Sequence, residues 1–109
     1  MAFDENLAER VRTLLTGTRG LVEKKMFGGV AFLVRGNMSV GVHGPDLIVR
    51  IAPDETDDAL KLPGARIFDI TGRPMKGWLL IANASLKEKP GLAGWVRRGV
   101  AYASALPAK

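Results

Sequence analysis

Cysteine is missing altogether from this 109-residue chain, and histidine occurs once, as His43. Without thiols there is no disulfide, no thiolate metal ligand and no cysteine nucleophile, and one histidine does not make the usual zinc site. No spacing in the sequence gives His43 an orienting carboxylate and a nucleophile, so we expect an exposed histidine at a strand end. The acidic residues Asp54, Glu55, Asp57 and Asp58 lack the calcium-loop pattern and are typical of a helix N-terminus. We expect no catalytic residue, metal or cofactor.

Long hydrophobic runs and a leader sequence are also lacking. The amino terminus is acidic and does not resemble a signal peptide, and no apolar run approaches the roughly 18 residues of a membrane span. Hydrophobic residues make up 47% of the chain and charged residues 25%, which is an ordinary globular composition. The length suits a single domain, residues 1–109. We expect a cytoplasmic protein that does not contact a membrane.

Residues 26–51 alternate between apolar and smaller or polar side chains, which indicates β-strands with one face in a core. Turn sequences containing glycine separate three apolar triplets, namely Val30, Phe32 and Val34, then Met38, Val40 and Val42, then Leu47, Val49 and Ile51. This pattern predicts three consecutive antiparallel strands. Gly28 and Gly29 stand at the head of the first strand and predict a bulge or a close approach of another segment.

Apolar residues at helical spacing precede and follow this region. They predict a first helix capped by Asp4, a short helix over residues 54–60 and a last helix opened by Pro90. Residues 18–25 resemble a polar connector, while residues 65–70 and 78–82 resemble strands. The order α-β-β-β-α-β-β-α predicts an α+β fold with two layers, in which helices cover a five-stranded antiparallel sheet.

Residues 78–82 form an uninterrupted apolar run. Such a run predicts a central strand covered on both faces, or a strand covered by a partner chain. We interpret Trp78 and Trp95 as a packing pair between this strand and the last helix. Met26, Met38 and Met75 are interpreted as residues that fill the core.

Basic residues outnumber acidic residues by 16 to 11, which gives a net charge of +5. A basic balance favours anionic partners. Arg73 and Lys76 share a loop flanked by glycines, and Lys24 and Lys25 precede the first predicted strand. These four residues are the candidates for binding an anion or a partner. Trp78 is the one aromatic residue beside them that could stack on a nucleic-acid base.

Four segments, in order over nearly the whole chain, resemble the TfoX/Sxy N-terminal domain family. They are Met26-Phe-Gly-Gly-Val, Gly72-Arg-Pro-Met-Lys-Gly-Trp78, Leu92-Ala-Gly-Trp95-Val and Ser104-Ala-Leu-Pro-Ala-Lys109. The resemblance implies a secretion-chaperone-like α+β fold with the same element order. The namesake proteins carry a second, C-terminal helical domain, for which this chain has no room, so we expect a stand-alone N-domain. The resemblance assigns no catalytic or ligand residue, and it leaves open the role of Met26, Phe27, Gly28, Gly29, Arg73, Pro74, Met75, Gly77, Trp78 and Trp95.

The namesake of that family resembles a regulator of natural competence that acts with a transcription factor on DNA. The resemblance therefore implies a bacterial, non-enzymatic regulatory or adaptor domain in transcription regulation. Such a domain would bind a protein partner, another copy of itself, or both. The alternative is direct binding of DNA or another nucleic acid through Lys24, Lys25, Arg73 and Lys76. Neither hypothesis requires a small-molecule substrate.

Overall fold

One antiparallel sheet, with helices packed on one of its faces, organises the protein. The computed structural model describes residues 3–26, 28–69, 75–88 and 91–108. Within them the strands are β1 (Leu21–Met26), β2 (Gly29–Val34), β3 (Asn37–His43), β4 (Asp46–Arg50), β5 (Ala65–Ile67) and β6 (Trp78–Ile81). The helices are α1 (Glu5–Leu14), α2 (Thr56–Ala59) and α3 (Gly91–Ala105), with 3-10 turns at Pro53–Glu55 and Asn83–Lys87. The predicted α+β class is confirmed.

The sheet has one strand more than the alternation predicted. Its order is β1-β2-β3-β4-β6-β5, and residues 18–25, predicted as a connector, contain most of β1. This strand pairs with β2 from Leu21 opposite Val34 to Met26 opposite Gly29. All its side chains from Val22 onward are exposed. Since neither face of β1 is buried, its sequence carries no apolar alternation and resembles a loop.

The main core lies between the helices and one face of the sheet. Asp4 caps α1 as predicted, because its Oδ1 accepts a hydrogen bond of 3.0 Å from the Leu7 backbone N–H. This helix-covered face contributes alternate residues of β2, β3, β4 and β6, and α1 and α3 contribute one apolar stripe each. The fully buried members with the largest side chains are Trp95, Phe32, Leu7, Leu15, Leu47, Ile51, Leu79 and Ile81.

A second, smaller cluster lies on the opposite face, which we call the outer face. Its buried members are Ala31, Met38, Ile48 and Phe68, and Leu33, Met75, Trp78 and Leu80 pack against them. Trp78 and Trp95 therefore belong to different clusters on opposite sides of the sheet. The predicted packing pair between them is wrong, because the side chain of Trp78 follows the phase of Leu80 and not that of Leu79.

Strand β6 is an interior strand, as its apolar run predicted. It pairs with β4 on one side and with β5 on the other. Leu79 and Ile81 are fully buried on the helix-covered face, whereas Trp78 and Leu80 are half-buried on the outer face. The strand predicted over residues 65–70 is shorter, Ala65–Ile67. Pro90 and the end of that predicted strand at Ile70 lie outside the described residues.

No helix in the described ranges is long and apolar enough to cross a bilayer.

Candidate functional site

The candidate basic residues Lys24 and Lys25 lie on opposite faces of the sheet. Lys25 pairs with Val30, a residue of the main core, and Lys24 pairs with Ala31, a residue of the outer cluster. Side chains of successive strand residues point to opposite faces. A single ligand on one face of the sheet therefore contacts only one of these two lysines.

Lys76 lies at a distance from both lysines of β1. It is exposed and stands two residues before the start of β6. Four strand spacings separate β1 from β6 in the sheet order, which at about 4.8 Å each is roughly 19 Å. Arg73 lies outside the described residues. The three described candidates do not form one basic patch.

The outer face instead pairs Trp78, two residues after Lys76, with an arginine that the sequence pattern did not single out. Arg50 stands directly opposite Trp78 in the pairing of β4 with β6. Its guanidinium lies 4.9 Å from the centroid of the Trp78 ring and 5.5 Å from that of Tyr102. Both distances are within the range of a cation–π interaction. Only the pairing of strands far apart in the chain brings these side chains together, and no local spacing signals it.

His43 is half-buried on the outer face, so the expectation of an exposed histidine is wrong. Its ring lies edge-to-face with Phe68, with centroids 6.4 Å apart, and its Nδ1 is buried without a hydrogen-bond partner among the described residues. Asp46 is opposite His43 in the β-ladder. The Asp46 carboxylate, however, accepts hydrogen bonds from Arg66 at 2.8 Å and from the Asn83 backbone N–H at 3.1 Å.

The acidic residues at the start of α2 lie on a short helical segment, as predicted. Asp54 and Glu55 belong to the 3-10 turn that precedes α2, and Asp57 and Asp58 to its first turn. In the described part of the chain no three His, Asp or Glu side chains are grouped so that they could hold a metal ion.

A groove between α1 and the start of α3 has a volume of about 480 Å³. Leu14, Leu86 and Leu92 line it, and Arg10 is the one charged side chain among its described lining residues. The described lining of the groove is therefore apolar, without a carboxylate or an imidazole.

Strand β1 is the most exposed element of the sheet. On the outer face Val22 is 48% exposed and Met26 is 37% exposed, with Lys24 between them. The prediction that Met26 fills the core is wrong, because β1 is an edge strand and no described segment covers its outer face. Met38 and Met75 do pack in the outer cluster, as predicted.

The helix-covered face of β1 is tied to α1 through one carboxylate. Arg12 of α1 donates to both oxygens of Glu23, from Nε at 2.7 Å and from Nη2 at 2.8 Å, and it also pairs with Glu9. The hydrogen bond from Arg12 lowers the pKa of Glu23, and Lys25 adds a smaller Coulombic contribution. Glu23 is thus a fixed negative charge at the sheet edge, next to the positive charge of Lys25.

The backbone of β1 directs every second residue outward. The Gly20 carbonyl accepts a hydrogen bond of 2.9 Å from the Arg35 N–H. In an antiparallel ladder, bonded and non-bonded pairs alternate, so Val22, Lys24 and Met26 direct their backbone groups toward β2. Leu21, Glu23 and Lys25 therefore direct theirs away from the sheet. Among the described strands none pairs with this outer edge.

A comparison with protein families identifies the type of domain. The family model described as the TfoX N-terminal domain matches residues 13–103, which is most of the chain. The chain belongs to the TfoX N-terminal domain family. No curated protein and no solved structure matches the chain significantly.

Most of the described family-pattern positions of this TfoX N-terminal domain have a packing role. Trp95 lies in the main core and Met75 in the outer cluster. A side chain at Gly29 would clash with the backbone of β3, and one at Gly77 would clash with the Ile51 carbonyl. Met26, by contrast, presents an exposed side chain. Phe27, Arg73 and Pro74 lie outside the described residues.

Proposed function

We propose that this TfoX N-terminal domain is a non-enzymatic regulatory or adaptor domain of the competence-regulator type, and that it acts through contacts with proteins. The observation that carries the proposal is the open edge of β1. A six-residue strand with outward backbone groups and two exposed apolar side chains is a template for pairing with another chain.

The surroundings of the titratable groups also support a binding role over a catalytic one. A general base needs an orienting partner and a reacting group within hydrogen-bond reach. His43 packs against the ring of Phe68, and the nearest ladder carboxylate, Asp46, is already engaged by Arg66 and Asn83.

Lys25→Pro tests whether partners bind at the β1 edge. The N–H of Lys25 points outward, so proline there removes a bond to a partner strand without removing one to β2. Proteins retained by the tagged full chain from a cell lysate, including untagged copies of the chain itself, should be lost from the Lys25→Pro variant. The measurement is affinity capture followed by mass spectrometry, with light scattering of the purified protein.

The control is Lys87→Ala, which removes another exposed positive charge, in the 3-10 turn before α3. It should retain every protein that the wild type retains. Equal capture by the wild type and Lys25→Pro, or a monomeric protein that captures nothing, would contradict the proposal.

Direct nucleic-acid binding is the second candidate function. The net charge of +5 favours an anionic partner. Arg50 lies against the ring of Trp78, and Lys76 stands two residues before that tryptophan in the chain. Trp78 is half-buried with Arg50 against its ring. Base stacking would thus have to displace that contact, and we rank this function second.

The salt dependence of DNA affinity tests the second candidate. Each lysine or arginine that contacts a phosphate releases counterions on binding. If Arg73 and Lys76 contact phosphates, replacing both with alanine should reduce the slope of log affinity against log salt by about two. The measurement is fluorescence anisotropy with labelled duplex DNA at several salt concentrations. Lys61→Ala, at an exposed lysine of the turn after α2, is the control, and an unchanged slope in the double variant would remove this basic surface from consideration.

A further inference from the structure

The side chains of β1 are complementary to a second β1 strand. Reading along the strand, an apolar residue, an acidic residue, two basic residues and an apolar residue follow one another from Val22 to Met26. Val22, Lys24 and Met26 share the outer face, and Glu23 and Lys25 share the helix-covered face. Each face therefore holds groups that could match the same face of another copy.

The geometry of an antiparallel pair limits the registers that two such strands can adopt. A two-fold axis perpendicular to the sheet keeps the helix-covered faces of both copies on the same side. Outward-directed residues then oppose outward-directed residues, so the axis must pass through a residue and not between two residues.

One register pairs opposite charges on the helix-covered face and apolar side chains on the outer face. With the axis at Lys24, Glu23 lies opposite the partner's Lys25, and by symmetry Lys25 lies opposite the partner's Glu23. These are hydrogen-bonded positions, because Glu23 and Lys25 direct their backbone groups outward. On the outer face, Val22 lies opposite the partner's Met26, so the two exposed apolar side chains cover each other.

The neighbouring registers oppose like charges on the helix-covered face and pair apolar residues with lysine on the outer face. An axis at Glu23 opposes two carboxylates and places Val22 opposite the partner's Lys24. An axis at Lys25 opposes two ammonium groups and places Met26 opposite the partner's Lys24. Like charges directly opposite each other destabilise a strand pair.

We propose that β1 binds β1 of a second copy of this chain, antiparallel and with the two-fold axis at Lys24, so that the two sheets join edge to edge. The inference rests on the proposed function, since it names the partner that the β1 edge binds. Two pairs of opposite charge and two apolar pairs hold the contact, together with the outward backbone groups of both strands.

Lys24 limits the affinity of this contact. At the axis it faces the partner's Lys24, and charged residues on edge strands oppose indiscriminate pairing. An interface of one short strand from each copy is also small compared with that of a permanent dimer. We therefore expect a dimer that forms and dissociates with protein concentration.

A charge exchange tests the register. In a dimer of the Lys25→Glu variant, both pairs of positions 23 and 25 bring two carboxylates together. In a dimer of the Glu23→Lys variant, both pairs bring two ammonium groups together. Each variant alone should raise the dissociation constant about tenfold. In an equimolar mixture every opposed pair is again of opposite charge, so a heterodimer should form about as well as the wild-type dimer. The measurement is sedimentation equilibrium over a concentration series, with each variant's melting temperature as the check on folding.

A second variant makes the opposite prediction. Lys24→Thr removes the like-charge pair at the axis and supplies a threonine pair, so it should lower the dissociation constant severalfold. Glu23→Lys also removes the contact between Glu23 and Arg12. Lys24→Thr leaves that contact intact, so its effect on the dimer does not depend on the loss. Lys87→Glu repeats the charge change of Lys25→Glu away from β1 and should leave the dissociation constant unchanged.

The experiments distinguish a wrong β1–β1 contact from a wrong adaptor function. A wild type that stays monomeric, or a mixture of the two charge variants that forms no heterodimer, overturns the β1–β1 contact. If Lys25→Pro still loses another captured protein in that case, the adaptor function stands with a different partner. A dimer that is insensitive to all of these variants also overturns the contact, because another surface would then hold the copies together.

Discussion

Replacing Trp95 with alanine is expected to destabilise the domain by about 3–5 kcal/mol. Trp95 is fully buried where α3 faces the sheet, and it is the largest side chain in the main core. Its removal leaves a cavity between α3 and the sheet. The backbones of both are held by their own hydrogen bonds, so they cannot easily move together to fill it. Since a domain of this size is stabilised by roughly 5–15 kcal/mol, the variant should melt on the order of 15 °C lower. Thermal and urea denaturation followed by circular dichroism measures the loss.

Trp95→Phe is the control for the volume of this residue. The Trp95 Nε1 is buried and has no hydrogen-bond partner among the described residues, so phenylalanine breaks no hydrogen bond to them. We expect less than half the loss seen with alanine, because the remaining ring fills most of the space. A phenylalanine variant as unstable as the alanine variant would contradict this account of the site. An alanine variant with the melting temperature of the wild type would show that Trp95 does not stabilise the main core.

Gly29→Ala is expected to cost about 3 kcal/mol, at the upper end of the range for overpacked positions. A Cβ at Gly29 would lie 2.0 Å from the Val42 carbonyl oxygen and 3.3 Å from the His43 Cα. These are backbone atoms of β3, so no side-chain rotation relieves the contact and the two strands must separate. Denaturation in urea, with the change in midpoint at constant slope, measures the effect.

Gly28 supplies the matched control one residue earlier. Its φ is +72° and a Cβ there would meet nothing within 4 Å. Asparagine tolerates this left-handed backbone conformation, so Gly28→Asn should cost less than about 1 kcal/mol. Equal losses in the two variants would mean that the close approach of β2 and β3 at Gly29 does not limit stability.

The close approach predicted at Gly28 and Gly29 is thus found in the structure, at Gly29 but not at Gly28. The sequence pattern marks a place where the backbone is unusual, because glycine is rarely favoured inside a strand. Whether the reason is a positive φ or a neighbouring chain depends on where β3 lies, and that is a property of the assembled sheet.

The errors at His43, Met26 and Trp78 have a common origin. Each position was interpreted from its residue type and its immediate neighbours in the sequence, whereas the alternation phase separates one face of a strand from the other. The phase does not say how well each face is covered. His43 and Trp78 are half-buried because Phe68 packs between them on the outer face, whereas Met26 is exposed because nothing described covers β1.

The sequence by itself determined the α+β class, the capped first helix, the central strands and the family of the chain, because periodicity and capping act over a few residues. Only the tertiary structure decided the strand order, the edge position of β1 and the separation of Lys24, Lys25 and Lys76. It also decided that Arg50 contacts Trp78. These features depend on pairing between segments far apart in the chain, and an edge strand buried on neither face leaves no apolar alternation from which its pairing could be predicted.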